Sequence, residues 1–236
     1  MPSIQAVPAT NRLLAALPSK DRLQILANCE QVELVFGNIL CEPGETIRHV
    51  YFPTDSFVSL VMLIDGGSGL EVGLIGNEGM LGLPLMLGVD VAPLHVLVQG
   101  AGPALRMAAP AFLHELELSS ALQLQLKRYL YVSMRQLAQT AACNRFHVVE
   151  KRLAHWLLMT RDRAHAEEFH VTHEFLAKML GVRRVGVTKA AGSLQKKKLI
   201  SYTRGNVRIL DIGGLEAASC ACYQADKETY DRIMHC

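Results

Sequence analysis

Two hydrophobic rhythms divide the chain. Between about residues 32 and 108 the apolar positions come in short runs: VELV, IRHVYF, FVSLVMLI, GLEVGLIG, LHVLVQG and PALRM. FGN, EPGE, PTDS, DGGSG and QGAGP separate them. Short β-rich runs with Gly/Pro punctuation predict antiparallel strands in a barrel or a double-sheet roll. Residues 11–28 read as a short helical lead-in to them. Beyond the strands Pro110 suits the first turn of a helix, and no Gly or Pro recurs until Gly181. One long helix over about 110–142 and a second over about 145–160 are predicted. Phe146, Val149, Leu153, Trp156 and Leu157 fall on the buried face of the second.

In the first of these helices Leu126, Leu130 and Leu137 fit a heptad seam, with Ser133 and Thr140 at the alternating positions. The spacing fits packing on the β-rich region and equally a dimer interface in which small residues allow close approach.

The last third changes rhythm again. In VTHEFLAKML, Thr172 is a suitable N-cap, and Phe175, Leu176, Met179 and Leu180 form an apolar face. Gly181 permits the positive φ of a tight turn. In GVRRVGVTKAAGSLQKKKLI, Val187, Ala190, Ala191 and Leu194 fall at i, i+3, i+4 and i+7, a narrow stripe of small residues down one side of a helix. Arg183, Arg184, Thr188 and Lys189 lie off the stripe. LISYTRGNVRIL follows and predicts a hairpin centred on Gly205-Asn206. Two short helices joined through a glycine, then a hairpin, make a winged helix-turn-helix.

Charge strengthens this reading. The net charge is only +2, yet residues 145–208 hold 14 Lys/Arg against 5 Asp/Glu, and the remainder holds 10 against 17. A basic region attached to an acidic one is an electrostatic footprint of nucleic-acid binding, and alone it fits an acidic protein partner as well. Half of the 236 residues are hydrophobic, which excludes a disordered chain. No run approaches the roughly 20 apolar residues of a membrane helix, and the N-terminus shows no secretory pattern. The six cysteines, Cys29, Cys41, Cys143, Cys220, Cys222 and Cys236, are too scattered for a disulfide framework and suit reduced thiols in the cytoplasm.

From CEPGETIRHVYF to VTHEFLAKMLGVRRVGVTKAAGSLQKKKLI the chain resembles the Crp–Fnr family of bacterial transcription regulators. The resemblance implies an α+β fold. An N-terminal antiparallel β-roll of the double-stranded β-helix or jelly-roll type (1–109) would be a cyclic-nucleotide-binding-like sensor. A long dimerisation helix (110–143) and a C-terminal winged helix-turn-helix (144–236) would follow. It further implies a cytoplasmic homodimer joined through Leu126, Leu130, Ser133 and Leu137, with double-stranded DNA and RNA polymerase as partners and no enzymatic activity. Arg184 matches the family's base-reading arginine and Lys189 a later contact residue, with Arg183 and Thr188 beside them. Val185 stands where the best-known members carry a glutamate, so their half-site is not expected. Thr172, Lys196, Lys197 and Lys198 look like phosphate contacts, and Arg204 and Arg208 on the wing could add more.

The sensor keeps part of the family's glycine–glutamate turn in IGNEGMLG: Gly76, Glu78 and Gly79, followed by Met80 and Leu81. Ala92 and Pro93 stand where the resemblance places an arginine and a small hydroxyl residue. No Lys or Arg occurs between Arg48 and Arg106. Burying a phosphate without a cation is costly, so ordinary cyclic AMP sensing is not expected. An apolar or neutral effector, or none, fits better, and no cofactor is indicated.

The remaining chemistry is sparse. Cys29 and Cys41 do not supply an iron–sulfur ligand set. Cys220 and Cys222 are a compact pair, but two thiols do not complete a metal site. His165, His170 and His173 beside Glu167 and Glu168 read as a polar loop, with metal binding the less favoured alternative, and nothing specifies haem ligation by His95. No catalytic set is indicated. The competing readings are a β-roll metal-dependent enzyme, for which His49 and His95 are too few, and a protein-interaction module whose winged helix does not read DNA.

Overall fold

The computed structural model describes residues 10–64 and 68–234. Most of the DGGSG turn and Cys236 lie outside the described residues. Asn11 caps α1 (Arg12–Ala15), its Oδ1 accepting from the Leu14 amide. Its Nδ2 donates to the carbonyls of Pro53 and Gly79, which ties the lead-in to the roll. α2 (Ser19–Ala27) follows.

Seven strands come next: β1 (Glu30–Leu34), β2 (Ile39–Cys41), β3 (His49–Pro53), β4 (Phe57–Ile64), β5 (Ser68–Ile75), β6 (His95–Gly100) and β7 (Gly102–Ala108). They form two antiparallel sheets in the orders β1-β7-β3 and β2-β6-β4-β5. Leu34, Val58, Ile75, Val96, Val98 and Ala104 fill the space between them. This is the double-sheet roll that the short apolar runs predict. β2 had no counterpart among those runs. It is three residues long with an irregular register, too short to leave a period-2 signature.

The long helix expected over 110–142 is two helices. α3 (Ala109–Leu118) ends at Ser119, which is extended (φ −110°, ψ 103°) and caps α4 (Ser120–Phe146) by accepting from the Leu122 amide at 3.0 Å. The serine side chain offers the next helix the acceptor its first turn lacks, so the chain turns there without Gly or Pro. α3 then lays Phe112 against the roll, and α4 packs Leu122, Leu126, Tyr129 and Val132 over it.

The reader follows: α5 (Val149–Ala164), β8 (Glu168–His170), α6 (His173–Leu180), α7 (Arg184–Lys196), β9 (Ile200–Thr203), β10 (Asn206–Ile209) and α8 (Ile212–Ala218). β8, β10 and β9 form a three-stranded sheet in that order. Leu153, Trp156 and Leu157 of α5 are buried as expected. Phe146 is not: it is the last residue of α4 and 78% exposed, because the hinge after it shifts the helical phase. The hairpin turn is centred on Arg204-Gly205, one residue before the expected Gly205-Asn206. Both central residues have positive φ (50° and 87°), the geometry of a two-residue turn matched to strand twist.

α9 (Cys222–Met234) leaves the winged helix and runs back along α4, placing Tyr230 and Met234 in the core beneath the roll. The reader's own core also includes Val61 from β4. Among the described residues no helix is long and apolar enough to cross a membrane.

Candidate nucleic-acid interface

α6, the turn and α7 form as the sequence dictates. The Thr172 side chain accepts from the Phe175 amide at 3.1 Å, capping α6. Gly181 closes it with φ +61°, and the Val182 amide reaches back to the Ala177 carbonyl at 3.0 Å. A methyl group on Gly181 would also meet Leu70 of β5 at 2.8 Å, so the turn is pressed against the roll. Replacing Thr172 with alanine is expected to cost about 0.5–2 kcal/mol in urea unfolding. Thr172→Ser should recover most of it; an unchanged midpoint would show that the cap contributes nothing.

α7 is two-faced. Val187, Ala190, Ala191 and Leu194 are buried against the rest of the reader. Arg183, Arg184, Val185, Thr188 and Lys189 are exposed on the other side and form one continuous patch from the helix N-terminus. Thr188 donates within the helix to the Arg184 carbonyl or outward to His173, whose ring stacks on Tyr202 with centroids 4.3 Å apart. Burial, with the Arg184 charge alongside, depresses the His173 imidazole.

The surrounding cations differ in their company. Lys196, Lys198, Arg204 and Arg208 are exposed near the C-terminus of α7 and on the wing. Lys197 donates to Glu150 of α5 at 2.6 Å, which holds that carboxyl below its ordinary range. Arg152 and Arg163 are buried and face inward, so the basic surplus of the region overstates its surface charge.

The residues expected to line an effector pocket separate into two places. A largely apolar cavity of about 540 Å³ lies between the roll and α4, lined by Met80, Leu81, Ala92 and Pro93 with Leu130, Ser133 and Leu137. Gly76, Glu78 and Gly79 are not part of its wall. The Glu78 carboxylate turns to Arg163 of α5 at 2.6 Å and accepts from the Gly76 amide at 3.2 Å, while its own carbonyl accepts from Tyr230. The expectation of a wall without cations also needs correcting: Arg48 and His49 border the cavity.

On α4 only Leu126 departs from the expected seam. Leu126 is fully buried under the roll and packs within its own chain, whereas Leu130 and Ser133 are half-buried and Leu137 is exposed. The outward stripe runs one position away, through Leu124, Tyr131, Met134, Ala138 and Ala141.

Two contacts between roll and reader escaped the sequence reading. Besides Glu78–Arg163, Glu71 of β5 accepts from the Trp156 indole at 2.8 Å and shares a hydrogen bond with Ser59 at 2.7 Å. Burial pushes the Glu71 carboxyl up to about 7. A lone glutamate in the otherwise apolar run GLEVGLIG was the available signal. The histidines of the polar loop do not converge: His165 pairs with Asp55 and His170 with Asn206.

Residues 151–218 match the Crp-like helix-turn-helix domain. No curated protein sequence is significantly similar to the chain. Among solved structures it is similar to a transcriptional regulator of the crp/fnr family from Eubacterium rectale, with 17% identity, 90% of this chain and 97% of that one covered, and a TM-score of 0.69. FixK2 from Bradyrhizobium japonicum gives 13% identity, 82% and 98% coverage and a TM-score of 0.69. A CRP-family transcriptional regulator from Thermus thermophilus gives 20%, 80% and 96%, and 0.66. At these identities the likeness is one of fold. The chain thus carries a Crp-like helix-turn-helix domain and shares the fold of these crp/fnr-family regulators.

Proposed function

We propose that the chain is a homodimeric, sequence-specific DNA-binding regulator of transcription. The observation that carries this reading is the two-faced α7, with its small stripe buried and Arg183, Arg184, Val185, Thr188 and Lys189 presented together. In a dimer two such helices enter successive major grooves, so the operator is a pseudo-palindrome with half-site centres roughly one helical turn apart. Arg184 reads guanine by a bidentate contact, and Val185 offers a methyl contact to thymine where a carboxylate would read cytosine. Thr172, Lys196, Lys198 and Arg204 hold phosphates; Lys197 joins them by exchanging Glu150 for a phosphate. The division of labour is a sensor at 1–109, a helical connector at 110–143 and a reader at 144–236. The outward stripe of α4 is the dimer face, and RNA polymerase is the onward partner.

The effector of this regulator is apolar or neutral and occupies the cavity between roll and α4. Two observations support that: the cavity wall is mostly aliphatic, and the Glu78 carboxylate is already engaged by Arg163.

Selection of bound sequences from random duplex DNA, with and without cyclic AMP, tests the reading. A two-fold symmetric motif independent of the nucleotide is expected. A motif that appears only with cyclic AMP would overturn the effector assignment, and no enrichment in any condition would overturn DNA reading. On the selected site Arg184→Ala is expected to cost about 1–3 kcal/mol and relax preference at one base pair. Equal losses on specific and nonspecific DNA would reassign Arg184 to the phosphates.

A further inference from the structure

Four donor groups far apart in sequence meet at the hinge between the helical arm and the reader. Cys143 lies near the end of α4 and His147 is its C-cap. Cys220 and Cys222 flank Ala221 at the junction of α8 and α9. The three sulfurs and one imidazole nitrogen all lie within 4.8 Å of one another. Cys143 Sγ is 3.6 Å from Cys220 Sγ, and Cys222 Sγ is 3.5 Å from His147 Nδ1. All three thiols are buried. The expectation that Cys220 and Cys222 remain an incomplete pair is thereby corrected, because the return of α9 along α4 supplies the other two ligands.

These separations have a physical meaning. An ion with sulfur ligands at about 2.3 Å and a nitrogen at about 2.0 Å, arranged as a tetrahedron, sets ligand–ligand edges of about 3.5–3.8 Å. Both measured edges match. Three cysteines and one histidine are also a donor set for structural zinc. The absence of oxygen donors from the set disfavours calcium and magnesium. An iron–sulfur cluster would spread the ligands over separate irons, wider than this grouping.

The surroundings suit thiolates. Gln139 Nε2 donates to Cys222 Sγ at 2.9 Å, and His155 Nδ1 lies 3.7 Å from Cys220 Sγ. Asp226 stands 3.9 Å behind the other nitrogen of His155, a carboxylate–histidine pair aimed at the sulfur. Three thiolates around a divalent ion leave one negative charge. The buried guanidinium of Arg152, close enough to Cys143 and Cys220 to interact electrostatically, offsets it.

We propose that Cys143, His147, Cys220 and Cys222 bind one zinc-class divalent cation in a closed tetrahedral site, which pins the α4–α5 hinge to the α8–α9 junction. On binding, the three thiols release their protons to solvent and the neutral imidazole gives its Nδ1 lone pair. His147 is extended (φ −107°, ψ 140°) between two helices, so a ligand bond there fixes the direction in which α5 leaves the arm. The proposal is independent of what the reader binds.

The test uses the full chain, reduced and stripped of metal, titrated with cobalt(II) and then with zinc. Expected are thiolate-to-cobalt charge-transfer absorption in the near ultraviolet, strong visible bands of a tetrahedral ion, about one ion per chain, and bleaching by zinc. Cys222→Ser is expected to lose the charge-transfer spectrum or weaken it by at least a third, while Cys29→Ser keeps it unchanged. Should Cys222→Ser fold poorly, alkylation of the unmutated chain decides: zinc is expected to protect Cys143, Cys220 and Cys222 and to leave Cys41 reactive. Weak octahedral cobalt spectra, equal alkylation with and without zinc, or a Cys143–Cys220 disulfide that forms as readily in zinc-loaded protein would each overturn the site.

Discussion

Replacing Glu78 with alanine is expected to lower the unfolding free energy of the chain by about 3–5 kcal/mol, the range for a buried ion pair that loses one partner. The side chains of Arg163 and Glu78 are only 7% and 14% exposed, and their closest atoms are 2.6 Å apart. Without Glu78 the guanidinium keeps the carbonyl and sulfur of Met159 as hydrogen-bond acceptors, with the Glu71 and Asp226 carboxyls interacting from farther off. Its Nε already lacks a partner, so little local rearrangement can compensate. The cost therefore comes from the stranded cation more than from the attraction lost. That distinction is measurable. Urea unfolding of Glu78→Ala, Arg163→Met and the double variant should show the double variant recovering much of the loss, since it buries neither charge. A loss below about 1 kcal/mol for Glu78→Ala would place the pair in effective contact with water.

The same pair marks the limit of what the sequence discloses. Strands were legible as short β-rich runs between turn residues, as in FVSLVMLI of β4, and helices wherever one period persisted, as in the Val187–Leu194 stripe of α7, because burial on one face imposes that period. The reader was legible as a unit because its cap, its glycine turn and its amphipathic helices are neighbours in sequence. Ser119 was not legible as a break, since a serine that caps from within a run of good helix formers leaves no gap in the pattern. Leu126 was misplaced on the seam because heptad spacing cannot say which side of α4 meets the roll. The contacts between distant segments were least visible. Nothing beside Arg163 in sequence points to Glu78, and nothing beside Cys143 or His147 points to Cys220 and Cys222 until α9 returns along α4. Periodicity encodes a residue's exposure, not its partner.

The second large effect is a dependence of stability on pH that originates at Glu71. In the folded chain burial outweighs the hydrogen bonds from Ser59 and Trp156 and the nearby Arg163 charge, and the carboxyl titrates near 7. The unfolded chain titrates it near the ordinary value of about 4.3. Between those values the folded state holds a proton that the unfolded state has released, so stability falls as pH rises. Below about pH 4 both states are protonated and the penalty vanishes; above about pH 7.5 both are ionised and it is complete, on the order of 3 kcal/mol. The two carboxyl oxygens accept separately, one from the Ser59 hydroxyl, which also lies against Gln99 Oε1, and the other from the Trp156 indole. Ionisation places a charge between β5 and α5, where the roll meets the reader. Glu71→Gln keeps the shape and an acceptor oxygen for Trp156 but cannot ionise. Its stability is expected to match the parent near pH 4.5 and to exceed it by a margin that grows to about pH 7.5 and then levels. Asp226, pushed up to about 6 by burial, bends both curves alike, so the difference between them isolates Glu71. Urea midpoints at half-unit pH intervals for the two chains would measure it, and parallel curves would mean that the carboxyl is ionised in the folded state throughout.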